Sequence, residues 1–115
     1  MVEAARISDG TALADEFLQK LEKKRGGLEL VAAVAVRFED IARTGTLEIP
    51  RELNELRDDL WEIKAERVRL PFYWTQRAFA SKAIRITHGF LKGTWKTPRG
   101  EIDKALWVRR EDLRS

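Results

Sequence analysis

The sequence predicts an α+β fold: a small domain with an N-terminal helical hairpin and a C-terminal helix packed on a twisted, mainly antiparallel sheet. Three observations carry this expectation. Apolar residues recur at helical spacing from Leu13 to Ile41. Between Trp61 and Leu91 apolar residues instead alternate with charged or polar ones, the period of half-buried strands. The connections in that stretch are short, which favours antiparallel pairing. All 115 residues fit one domain, 1–115. A chain of this length buries roughly two-thirds of its unfolded surface, so it needs no cross-links. It has no cysteine, which excludes disulfides and thiolate metal sites and suits a cytoplasmic, reducing setting.

Val2 to Ile7 reads as a first strand, and Asp9-Gly10 as a turn. From Thr11 the pattern is helical: Leu13, Phe17 and Leu21 recur every fourth residue. Asp15 and Glu16 at the start and Lys20 to Arg25 at the end complement the helix dipole. Gly26-Gly27 stops this helix. A second runs from about Leu28 to Arg43, with Val31, Val34, Phe38 and Ile41 as its stripe, and the short link makes the pair an antiparallel hairpin. Leu47 to Asp59 reads as an irregular connection with a helical turn at Arg51 to Leu56. Strands follow at Trp61 to Glu66, Val68 to Trp74 and Ala83 to Leu91. Pro71 cannot donate a ladder hydrogen bond, so the middle strand is expected to bulge there or to lie at an edge. Thr97 as N-cap and Pro98 in first position start a final helix that buries Ile102, Ala105, Leu106 and Leu113. All three helices are expected on one face of the sheet, leaving the other face open.

Charge is unevenly spread. From Lys64 to Arg99 there are nine basic residues and one acid, Glu66, a local charge of +8. The rest of the chain holds 13 basic and 18 acidic groups. Such a footprint points to a polyanionic partner, RNA first. The longest apolar run, Leu30 to Val36, is far too short to span a bilayer, so no membrane role is expected. Glu3 and Asp9 near the start predict no secretory signal.

Strand alternation turns Lys64, Arg67, Arg69, Tyr73 and Arg85 toward the expected open face. Lys92 and Lys96 follow in the next loop. Together these cations form a phosphate-binding set, with Arg99 close behind in sequence. Tyr73, Trp74 and Trp95 are candidates for stacking on bases, with core packing the preferred reading for Trp61 and Trp74. His88 is the single histidine. Alternation points it inward with Ile84 and Ile86, whereas Gly89 marks a bulge that would re-aim it, and both placements are open. No histidine–carboxylate set has metal-ligand spacing, and there is no Gly-rich phosphate loop or Ser-His-Asp set, so neither metal nor cofactor is expected. RNA cleavage by the ribose 2′-hydroxyl, with cations stabilising the phosphate, needs neither.

The runs Leu60-Trp61-Glu62-Ile63-Lys64, Val68 to Trp74 and Ile86-Thr87-His88-Gly89-Phe90-Leu91-Lys92-Gly93-Thr94-Trp95-Lys96-Thr97-Pro98, then Glu101 to Ala105, resemble the phage-derived, HigB-like branch of the RelE/ParE toxin superfamily. The resemblance implies a RelE-like fold and the toxin half of a type II toxin–antitoxin pair. It implies a ribosome-dependent, metal-independent endoribonuclease that cuts messenger RNA, and a cognate helix-turn-helix antitoxin. By position it carries over Lys64, Arg67, Arg69, His88, Lys92 and Lys96. The chain departs from the pattern in having lysine at position 64, where arginine is common, and in Pro71. The competing expectations are a non-catalytic module, such as a ParE-like or phage protein that grips a host factor through its basic face, and a plain RNA- or DNA-binding domain.

Overall fold

A computed structural model describes residues 2–44, 52–76, 82–93 and 96–114. The elements in chain order are β1 (Val2–Ala4), α1 (Leu13–Glu22), α2 (Gly27–Thr44), β2 (Leu53–Arg57), β3 (Leu60–Ala65), β4 (Val68–Gln76), β5 (Lys82–Ile86), β6 (Phe90–Leu91) and α3 (Arg99–Arg114). The architecture is α+β. The six-stranded sheet has the order β1-β5-β4-β3-β2, with β6 also on β4. Among the described residues, β1 and β5 pair in parallel and the other pairs are antiparallel.

The N-terminal hairpin forms as its apolar spacing dictates. Gly27 makes the tight link possible: a Cβ there would lie 1.7 Å from the Leu21 carbonyl oxygen. Ala14 and Leu21 of α1 and Val34 of α2 pack on Ile63, Leu70, Phe72, Ile84 and Ile86, giving the main core on one sheet face. Burying Leu70, Phe72 or Ile84 stabilises by about 1.5–3 kcal/mol each.

Several expectations are corrected. The stretch before Asp58 is not irregular: Leu53–Arg57 is strand β2, paired with β3 through a two-residue turn. Asp58 and Asp59 hold that turn at φ of 53° and 61°, the positive values of a type I′ hairpin, so the glycine that usually marks one is missing. Arg51 lies outside the described residues. The first strand ends at Ala4 rather than Ile7.

Pro71 is neither at an edge nor bulged, because β4 is the interior strand between β3 and β5. The expected third strand is instead broken into β5 and β6 at Thr87-His88-Gly89, beside Pro71. Pairing with β5 ends at Phe72 and Ile86, and pairing with β6 begins at Arg69 and Phe90. The missing proline donor thus faces the place where the neighbouring strand departs. The Pro71 carbonyl still accepts the Thr87 amide at 2.8 Å and the Thr87 hydroxyl at 3.1 Å.

The largest correction concerns α3. It lies on the sheet face opposite the hairpin, the face expected to be open. Ile102, Ala105 and Leu106 pack on Leu60 and Leu56, and Val108 packs on Tyr73 and Ala5. Leu113 is exposed, and Asp112 is buried in its stead. Thr97 does not cap the helix. The Pro98 carbonyl accepts the Ile102 amide, and the Thr97 hydroxyl turns to Glu62.

Gly89 is fixed by close approach, since a Cβ there would sit 2.3 Å from the Phe17 ring. Gly89→Ala should therefore cost about 1–3 kcal/mol through overpacking against α1. Urea denaturation checks this, and an unchanged midpoint would show that the Phe17 ring yields freely.

Candidate anion-binding site

The β3–β4 hairpin turns tightly at Glu66-Arg67, with Glu66 at φ 54°. This turn sets Lys64 directly across from Arg69, and Arg69 in turn faces Phe90 of β6. The Lys92 amide donates to the Arg67 carbonyl at 2.8 Å, tying the strand that follows β6 to the same turn. Lys64, Arg67, Arg69 and Lys92 are thereby drawn to one end of the sheet, on the part of the face that α3 leaves uncovered.

The electrostatics of this end follow from crowding. Burial lowers the Lys64 ammonium below its ordinary range. Glu62 opposes that shift, while Arg69 and Lys92 add to it. Burial also lowers Arg69, again opposed by Glu62. Arg69 is strapped down, donating through one terminal nitrogen to the Glu66 carbonyl at 2.6 Å and the Val68 carbonyl at 2.9 Å. Its Nε is buried without a hydrogen-bond partner among the described residues. Arg67, in the turn, is exposed. From the opposite face Arg37 of α2 holds the strand end, donating to the Lys64 carbonyl at 2.8 Å and pairing with Glu52 at 3.2 Å.

Glu62 is the residue that pattern reading undervalued. It points away from the hairpin core, as alternation requires, yet it is only 1% exposed. The Thr97 hydroxyl donates to it at 2.7 Å, so it clamps the start of α3 to the sheet while its charge acts on Lys64 and Arg69. Phe90, half-buried opposite Arg69, supplies the aromatic surface expected of other residues. Neither role has a signal in the sequence, because both depend on where the segment between β6 and α3 lands.

The remaining candidates are placed differently. His88 is 1% exposed, beneath the first turn of α3. Its Nδ1 lies 3.1 Å from the Thr87 hydroxyl, its ring stacks on Phe90, and Nε2 approaches Glu101 at 3.5 Å without a hydrogen bond. Burial, with Lys104 nearby, pushes its pKa down to about 4, so it is neutral. Tyr73 and Arg85 do point to this face, but both are engaged by Asp112 of α3. Tyr73 is buried and its hydroxyl donates to Asp112. Arg85 donates to the same carboxylate at 2.9 Å and lies 3.8 Å from Glu3. Burial alone would raise the Asp112 pKa, but the donors Tyr73, Arg6 N–H and Arg85 outweigh it and hold the carboxyl below its ordinary range. Burial and Asp112 push the Tyr73 phenol up. Lys96 and Arg99 are exposed before and at the start of α3. Trp95 lies outside the described residues. Trp74, expected in the core, is exposed.

Among the described residues no helix is long and apolar enough to cross a membrane, and no three His, Asp or Glu side chains are grouped to hold a metal. No protein-family model matches the chain, and no curated protein matches its sequence.

The neutral, buried His88 makes folding sensitive to acid. Its folded pKa of about 4 is below the unfolded value of 6.5, so its contribution is complete above pH 6.5 and is lost as pH falls toward 4. That difference corresponds to about 3 kcal/mol. Urea unfolding at pH 7 and pH 4 should show this loss in the native chain and not in His88→Gln. Equal slopes in both proteins would mean that His88 is reached by water in the folded state.

Proposed function

We propose that this chain is a HigB-like toxin of the RelE/ParE superfamily, with a RelE-like fold, that cuts messenger RNA on the ribosome and so stops translation. The observation that carries this reading is the convergence of Lys64, Arg69 and Lys92, each from a different strand or loop, close enough for their charges to be felt at Lys64. Exposed Arg67 extends the set. The sequence resemblance covers the same residues.

The chemistry needs no more than these groups and a positioned substrate. The ribose 2′-oxygen attacks the adjacent phosphorus, and the bond from phosphorus to the 5′-oxygen breaks, leaving a 2′,3′-cyclic phosphate and a 5′-hydroxyl. Negative charge builds on the non-bridging oxygens. Arg69, held rigid by the Glu66 and Val68 carbonyls, is the group to stabilise it without reorganising. The Lys64 ammonium can give a proton to the leaving 5′-oxygen and regain one from the attacking 2′-hydroxyl, so the proton lost by the nucleophile balances the one gained by the leaving group. Lys92 and Arg67 hold flanking phosphates, and Lys96 and Arg99 extend that path. Glu62 orients the cations through its charge. His88, buried under α3, acts by supporting the start of that helix. Such a site is slow by itself, and the ribosome supplies the orientation of the RNA. The implied partners are ribosome, messenger RNA and a helix-turn-helix antitoxin, in the cytoplasm.

One observation favours a second reading. Tyr73 and His88 are buried, and Arg85, partly exposed, is engaged by Asp112 of α3. What is left open is largely cationic, which also suits non-catalytic docking on a host factor.

Single-turnover cleavage of messenger RNA on programmed ribosomes separates the two. Arg69→Ala and Lys64→Ala should each slow cleavage about a hundredfold or more, near 3 kcal/mol. Arg67→Ala should mainly weaken binding, by an amount that shrinks as salt rises. Expression in bacteria should halt translation before DNA replication. Near-native cleavage in all variants, or replication failing first, would leave the docking reading.

A further inference from the structure

We propose that the outward face of α2 is a self-association surface occupied by a second copy of this chain, packed antiparallel about a two-fold axis at Ala32. This inference is independent of the RNA reading. The helix turns Val34 into the core and packs Val31, Phe38 and Ile41 against it. Its outward side should then be polar. Instead Leu28, Ala32, Ala35 and Val36 are all exposed, Leu28 by 66% and Val36 by 49%. Their spacing of four, three and one places them on one stripe about two turns long.

The flanking charges say what covers the stripe. Lys24 and Arg25, in the link before α2, are exposed at one end, and Glu39 is exposed at the other. Let two copies of α2 lie antiparallel with Ala32 against Ala32. Leu28 then meets Val36, and the exposed basic link before α2, Lys24 and Arg25, comes beside the partner's exposed Glu39. The two-fold axis repeats each pair. A parallel arrangement would instead set Lys24 and Arg25 against themselves. Charge complementarity therefore selects both the occupant and its direction, and the small Ala32 at the crossing lets the helices approach closely. The stripe lies on the opposite side of the sheet from Lys64 and Arg69, so a dimer leaves both cationic ends free.

The contact area is small, so association on the order of 10 µM is expected. Sedimentation equilibrium of the full chain should show the mass rising with concentration from 13.3 kDa toward twice that value. Leu28→Asp or Val36→Asp should weaken association about tenfold or more while thermal unfolding of the monomer stays unchanged, because both side chains are exposed. Arg25→Glu and Glu39→Arg should each weaken it as well, and the double variant R25E/E39R should restore it. Ala32→Cys, in a chain with no other cysteine, should cross-link to its own copy on oxidation, whereas Asp103→Cys should not. A monomer at every concentration, a dimer indifferent to Leu28→Asp, or a double variant that fails to restore association would each overturn the proposal.

Discussion

The arrangement of the whole C-terminal half depends on one buried carboxylate, Asp112. It receives the Tyr73 hydroxyl from β4, the Arg85 guanidinium from β5 and the Arg6 amide from the segment after β1. Taking a carboxylate out of water costs several kcal/mol, and these donors act against that cost. The net contribution of such a cluster is small, but deleting one member leaves an uncompensated buried charge, which costs about 3–5 kcal/mol. The cluster therefore acts less as glue than as an address: it fixes which face of the sheet α3 occupies. Once α3 is docked there, Tyr73 and Arg85 belong to the interface, and the open cations are confined to the turn end of the β3–β4 hairpin.

The opposite end of α3 is held by a different device. Pro71 on β4 cannot donate, and the neighbouring strand leaves the sheet at that level through Thr87, His88 and Gly89. Gly89 lets the chain pass against Phe17, and β6 then rejoins β4 beside Arg69. Thr97 then reaches Glu62, and α3 begins two residues later. A proline on β4 and a glycine in the adjacent break between β5 and β6 serve the same interruption. His88 fills the gap so created, and its neutrality is the cost of occupying a site with little water.

Much of this was legible in the sequence, and the illegible parts share a cause. The hairpin helices follow from Phe17, Leu21, Val34 and Phe38, and strands β3 and β4 from strict alternation, because local period and burial agree there. Alternation also placed Lys64, Arg69, Tyr73 and Arg85 on one face correctly. What it lacks is the knowledge of what covers that face. Asp112 in a helical stripe reads as a polar surface residue until Tyr73 and Arg85 are known to lie beneath it, and Leu113 beside it is then mistaken for the buried member. Thr97-Pro98 has the sequence of a helix start, yet a buried acceptor, Glu62, competes for the hydroxyl and wins. The β2 strand was missed because Asp58-Asp59 adopts a hairpin turn without glycine. The misses at Asp112, Leu113 and Thr97 are each a tertiary partner overriding a local rule, whereas that at β2 lies in the turn itself.

The residual cation cluster is where the fold carries electrostatic tension rather than relief. Lys64 and Arg69 sit across from each other on neighbouring strands, with Lys92 close by, and burial weakens the water that would screen them. Glu62 moderates the repulsion, but it lies beneath the site and is itself engaged by Thr97. Three like charges are held by backbone geometry around one buried acid, and Arg69 and Lys92 each disfavour the charged form of Lys64. A phosphate, with its charge spread over several oxygens, could approach all three cations at once, which a single surface carboxylate could not. The sheet supplies the rigidity, the β3–β4 turn the crowding, and α3 the limit on how far the basic face extends. An anion at that end would therefore stabilise the folded chain as well as bind to it, since ligand binding and relief of the like-charge repulsion are the same free energy.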